Sequence, residues 1–192
     1  MMSKLATIIV VCLISVPLMA AEFGNSDPGS MSYVHYQDWG NEIVWGSFSC
    51  GGDGTADSIY AMLNQSQPAE PADSFKCAVF DNSGNYLGTT EQVVLDGADL
   101  AWVGFEVVGT INLTSGTTYR LAVWCTNNGT YTRIWRSMIY GAGTIGYDTD
   151  VPYDESWPAT VTQDGSQSYE LAIYCVYTPA ASEETTSSRR RR

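Results

Sequence analysis

Between Tyr140 and Pro158 the chain reads Tyr-Gly-Ala-Gly-Thr-Ile-Gly-Tyr-Asp-Thr-Asp-Val-Pro-Tyr-Asp-Glu-Ser-Trp-Pro, its densest run of groups able to engage a ligand. Tyr147, Tyr153 and Trp157 are flat, amphipathic rings suited to stacking on sugar rings, and Asp148 and Asp150 beside them accept hydrogen bonds from hydroxyls. Together they make a candidate shallow glycan site. Asp148, Asp150, Asp154 and Glu155, spaced i, i+2, i+6 and i+7, are also a candidate calcium set, because Ca²⁺ takes several hard oxygen ligands in flexible geometry. The Gly51-Gly-Asp-Gly-Thr-Ala-Asp57 loop is a second oxygen-rich candidate. Neither has EF-hand spacing. The competing reading gives the aspartates to turns and folds Trp157 back as a cap on the core.

Catalytic schemes find less support. The chain has a single histidine, His35, which removes most zinc hydrolases and Ser-His-Asp arrangements, since each needs imidazole as ligand or base. Glycoside hydrolysis needs only two carboxyls at the right separation, but no close-spaced set such as Glu-x-Asp-x-x-Glu occurs. Charge narrows the partners further. Residues 22–188 hold all 21 acids against Lys76, Arg120, Arg133 and Arg136, a body charge of −17. Such a surface repels phosphate backbones and excludes nucleic acid.

The elements that must hold these residues are short. Residues 1–21 have a cationic start, an apolar run from Leu5 and a small-residue close at Met19-Ala-Ala21, which is the build of a secretory signal peptide. The run is too short for a confident membrane span of about 20 residues, so the mature chain is expected to have none. The fifth cysteine, Cys12, lies inside that run. Cys50, Cys77, Cys125 and Cys175 remain, an even number in an oxidising setting, and two disulfides are expected. Of the three pairings, Cys50 with Cys175 and Cys77 with Cys125 is favoured, joining the first and last core strands and two central ones.

Residues 22–40 read as an extended lead-in rich in Gly, Pro and Ser, and 41–178 as the folded domain. Within the domain, short alternating or apolar runs are separated by Gly, Asn, Asp and Pro, which is the all-β pattern. Strands are expected at 43–50, 58–63, 76–81, 86–90, 92–95, 100–108, 118–125, 131–138 and 168–177, with 140–158 a long connection. That count fits an all-β, two-sheet antiparallel β-sandwich of jelly-roll type. Residues 179–192 are a polar tail ending in Arg189 to Arg192, disordered by composition.

Three stretches carry a resemblance: 76–90 with its Asp-Asn-Ser-Gly turn, Trp102-Val-Gly-Phe105, and Leu113-Thr-Ser-Gly-Thr-Thr-Tyr-Arg-Leu-Ala-Val-Trp124. They resemble the jelly-roll modules of secreted bacterial and archaeal proteins, similar in layout to carbohydrate-binding modules. The resemblance implies a fold and brings no catalytic residues. Asn64, Asn112 and Asn128 each open an Asn-x-Ser/Thr sequon at a strand end or turn, where glycosylation is sterically accessible. The function expected is that of a secreted, non-catalytic module, glycan-binding or adhesive at the cell surface. The alternative is a self-assembling subunit of a filament or surface layer, in which residues 31–39 add as a strand to a neighbouring copy.

Overall fold

A computed structural model describes residues 19–27, 32–36, 42–65, 73–95, 100–126, 132–137, 143–149, 151–154 and 156–181. No helix among them is long and apolar enough to cross a membrane.

The described chain is all-β. Its strands are β1 (Ala21–Gly24), β2 (Ser32–Tyr36), β3 (Ile43–Ser49), β4 (Gly54–Gln65) and β5 (Asp73–Asp81). Then come β6 (Tyr86–Thr90), β7 (Val93–Leu95), β8 (Ala101–Val108), β9 (Asn112–Leu113) and β10 (Thr118–Cys125). The last are β11 (Thr132–Ser137), β12 (Ile145–Asp148), β13 (Gly165–Gln167), β14 (Glu170–Leu171) and β15 (Ile173–Pro179). Hydrogen-bonded neighbours follow the order β1-β15-β4-β8-β6-β5-β10-β3-β12-β13, with β7 on β5, β9 and β11 on β4, and β2 and β14 on β11. The named pairings are antiparallel, which suits a chain punctuated by tight polar turns. At the β5–β6 turn, Asp81 accepts from the backbone N–H of Ser83 and Asn85, and Gly84 takes a positive φ of 91°.

The path changes partners at β8. Its Ala101–Glu106 segment pairs with β4, while Val107 and Val108 pair with β6. Strands from both parts of the path share one core, in which Ile59, Phe105, Ile173 and Cys175 from one side meet Val44, Val79, Leu121 and Val123 from the other. Phe23 of β1 reaches across it, with its ring centroid 6.0 Å from that of Tyr119 in β10. A second cluster covers the opposite face of β3, β5 and β10, where Ile43, Trp45, Phe80 and Trp124 lie under Trp157 and Val161. These three strands are therefore buried on both faces, so Leu121 to Cys125 are all enclosed although alternate residues point opposite ways.

Several sequence-based expectations change. The lead-in is not separate from the domain: β1 pairs along β15 from Ala21 opposite Tyr177, and Phe23 is buried in the core. Of the proposed donor strand 31–39, residues 32–36 pair as β2 with β11 of the same chain. The 140–158 connection contains β12, which extends the sheet beside β3, because Gly146 leaves room for the Trp45 ring directly opposite.

No disulfide links the four cysteines, which are buried free thiols. Cys77 faces Val123 and Cys125 faces Phe75 across the β5–β10 ladder. That makes the two cysteines diagonal neighbours with Cα atoms about 7–8 Å apart, too far for an S–S bridge without backbone movement. Cys50 Sγ donates to Gly52 O at 3.1 Å, and Cys175 Sγ contacts Val176 O at 3.5 Å. Burial pushes the Cys77 thiol well up and takes that of Cys175 to about 12. Residues 1–18 of the expected leader and the tail from 182 onward lie outside the described residues.

Candidate functional site

Two of the aromatic residues expected to bind sugar, Tyr153 and Trp157, fold inward with Trp124 around a cation. Lys76 projects from β5 on the face away from the main core and is 5% exposed. Its Nζ lies 4.5 Å from the Trp124 ring centroid, 4.7 Å from that of Tyr153 and 5.5 Å from that of Trp157. It donates to the main-chain oxygen of Asp154. A desolvated ammonium held over aromatic faces gains about 2 kcal/mol from the ring quadrupoles. Each ring is also tethered at its polar end: Trp157 Nε1 to Thr89 Oγ1 at 2.8 Å, Tyr153 OH to Gln92 Oε1 at 2.8 Å and Trp124 Nε1 to Val151 O at 3.2 Å. Burial raises the Tyr153 phenol to about 12. The remaining opening, a cleft of about 240 Å³ bordered by Trp124, Trp157, Pro152 and Pro158, is smaller than the pockets of about 300–1,000 Å³ that enclose small ligands.

Tyr147 and Asp148 are strand residues and stay apart from this cap. Tyr147 packs on the main core, with its ring against Gly165 on the neighbouring strand. Asp148 is buried, and its Oδ2 accepts the Thr162 N–H at 2.8 Å. Asp164 faces it and accepts from the Thr149 N–H and Oγ1, both at 2.9 Å. The pair ties the two ends of the β12–β13 connection together. Desolvation, reinforced by the neighbouring Asp164 charge, raises the Asp148 carboxyl, while the Thr149 donors lower that of Asp164.

Two members of the candidate calcium set, Asp148 and Asp154, fall among the described residues. Asp148 points at Thr162, and the Asp154 carbonyl is taken by the chain's own ammonium. Asp150 and Glu155 lie outside the described residues. In the Gly51–Asp57 loop, Asp53 Oδ1 caps the Ser115 N–H and Asp57 Oδ2 accepts from Thr178 Oγ1. No group of three or more His, Cys, Asp or Glu side chains that would hold a metal ion occurs among the described residues. Of the sequon residues, Asn112 is exposed in β9, Asn64 lies in β4 at the position paired with Arg133, and Asn128 lies outside the described residues.

A second aromatic surface, outside the 140–158 connection, lies on the outer face of β15, β4 and β8. Tyr174 pairs with Tyr60, and Tyr60 with Gly104. The two tyrosine rings are parallel, 7° apart in plane with centroids 5.0 Å apart, and the Trp102 ring meets Tyr174 edge-on at 5.0 Å and 72°. All three side chains are half-buried. Gly104 gives Tyr60 its place: a Cβ there would stand 2.9 Å from the ring. Beneath the platform Ile59, Phe105, Ile173 and Cys175 are wholly buried, so it rests on a rigid base. The signal was present in the alternation of Ser58-Ile-Tyr60-Ala-Met62 and of Ile173-Tyr174-Cys175, whose inward members leave both tyrosines outward.

No protein-family model matches the chain, and no curated protein matches it.

Proposed function

We propose that this chain is an exported, non-catalytic, glycan-binding module of the cell surface, built as a two-sheet jelly-roll sandwich. The observation that carries the reading is the Tyr60, Tyr174 and Trp102 platform on three adjacent strands. An aromatic cluster with two tyrosines stacked face to face and Trp102 edge-on offers its outer surface to the apolar face of a pyranose ring at small entropic cost, because the side chains are ordered before the ligand arrives. The core shared by strands from both parts of the sheet path supports the sandwich, as does the layout similar to carbohydrate-binding modules in residues 76–124. The leader-like composition of residues 1–21 supports export.

The test is retention on insoluble polysaccharides by the full mature chain and by a Tyr60→Leu/Tyr174→Leu variant, which keeps apolar bulk and removes the flat rings. Retention lost at an unchanged unfolding midpoint is the expected result. A variant retained as strongly as its parent would remove the platform from the function.

A further inference from the structure

The platform is bordered by charge in a regular pattern. Strand register arranges the outward residues of β1, β15, β4 and β8 in rows, and one row reads Gly24, Tyr174, Tyr60, Gly104. The next reads Glu22, Val176, Ser58, Glu106. Each tyrosine therefore has a carboxylate as its diagonal neighbour, Glu22 for Tyr174 and Glu106 for Tyr60, with Cα atoms about 7–8 Å apart. Both glutamates are exposed, and Glu22 is near enough to help raise the Tyr174 phenol. Of the cations whose side chains are described, Lys76 and Arg120 lie away from this face. Arg133 of β11 pairs with Asn64, four residues along β4 from Tyr60. Lys76 is enclosed by the aromatic cap, and Arg120 lies over Trp45 and donates to Asn82 O.

We infer that this face selects polysaccharides of 2-amino-hexose units in their protonated form over neutral polymers of the same linkage, and neutral polymers over uronate-bearing ones. The inference rests on the glycan-binding reading above and adds the charge of the ligand to it. If a sugar substituent stands as far from a carboxylate as the strand positions stand from each other, about 7 Å, a unit charge in water gains or loses a factor of about 2.7 per carboxylate. Two carboxylates give about sevenfold per step. Stacking is insensitive to salt, whereas the Coulomb contribution fades as the screening length falls from about 30 Å at 0.01 M to about 3 Å at 1 M.

The experiment compares soluble oligomers of a β-1,4-glucan, its 2-amino counterpart and its uronate counterpart at mildly acidic pH. The parent chain and a Glu22→Gln/Glu106→Gln variant are both titrated. The expected order at about 0.01 M salt is amino, neutral, uronate, in steps of about sevenfold. It should collapse to within about twofold at about 1 M salt, and in the variant at low salt, with neutral binding kept. Equal binding of the three oligomers, or an unchanged order in the variant, overturns charge selection and leaves the aromatic seat standing. Failure to bind any of the three overturns the glycan reading itself.

Discussion

Replacing Trp157 by Ala separates a structural cap from a ligand-binding ring. Trp157 is 9% exposed, lies 5.0 Å from Trp124 and 5.7 Å from Phe80 between centroids, and closes the third side of the Lys76 box. Truncating a buried tryptophan costs about 3–5 kcal/mol in lost burial and residual cavity. The bond from its Nε1 to Thr89 Oγ1 accounts for about 1 kcal/mol of that. For a domain of this size the loss lowers the melting temperature by roughly 6–20 °C. Trp157→Phe keeps most of the ring and gives up the hydrogen bond, so about 1 kcal/mol is expected for it. A double-mutant cycle with Lys76→Met should return a coupling of about 0.5–2 kcal/mol, the part that belongs to the cation and the ring together. Equilibrium urea unfolding at constant m-value measures all of these proteins, and polysaccharide retention is assayed in parallel. A Trp157→Ala protein less than about 1 kcal/mol weaker than its parent, yet no longer retained, would refute this reasoning and return the site to the 140–158 segment.

Three further perturbations follow from the titrating groups. Because burial raises the folded-state pKa of Asp148, its contribution to stability is complete at low pH and is lost as pH rises through the folded value. Asp148→Asn keeps an acceptor for Thr162 and offers an N–H toward Asp164, so it should exceed the parent's urea midpoint at neutral pH, an advantage that disappears at acid pH. Asp164→Asn should do the reverse, since that carboxyl is held low by Thr149 and its contribution is present at neutral pH and lost as pH falls; equal pH profiles for the two variants would contradict the pairing. Finally, the buried thiols of Cys77 and Cys175, pushed upward by desolvation, should ignore a thiol reagent at mildly alkaline pH in the folded protein and react in urea. Mass spectrometry of the alkylated chain checks this, and prompt labelling of either cysteine without denaturant would show that the core opens.

Much of the strand pattern is legible along the chain. The expected strands at 86–90 and 118–125 coincide with β6 and β10, and six others are recovered with their ends shifted by one to four residues. Alternation and turn residues are local signals, so they survive without knowledge of partners. Short strands held by distant pairing were not readable in this way. β1 has four residues and is a strand only because β15 offers it an edge, and β12 is one because Gly146 accepts the Trp45 ring. The inward packing of two candidate-site aromatics was not readable for a related reason. Exposed-looking aromatics in a polar loop are a fair signal for binding, but Tyr153 and Trp157 had a closer ligand in Lys76, 78 residues before the Asp154 carbonyl that holds it.

The order of residues by itself determined the all-β class, the turns and the acidic body, because periodicity, turn chemistry and charge are properties of neighbouring residues or of their sum. Tertiary structure decided which aromatics face solvent and which close over a lysine. Tyr60, Trp102 and Tyr174 are 42 and 72 residues apart in sequence, and cross-strand register alone brings their rings to 5.0 Å.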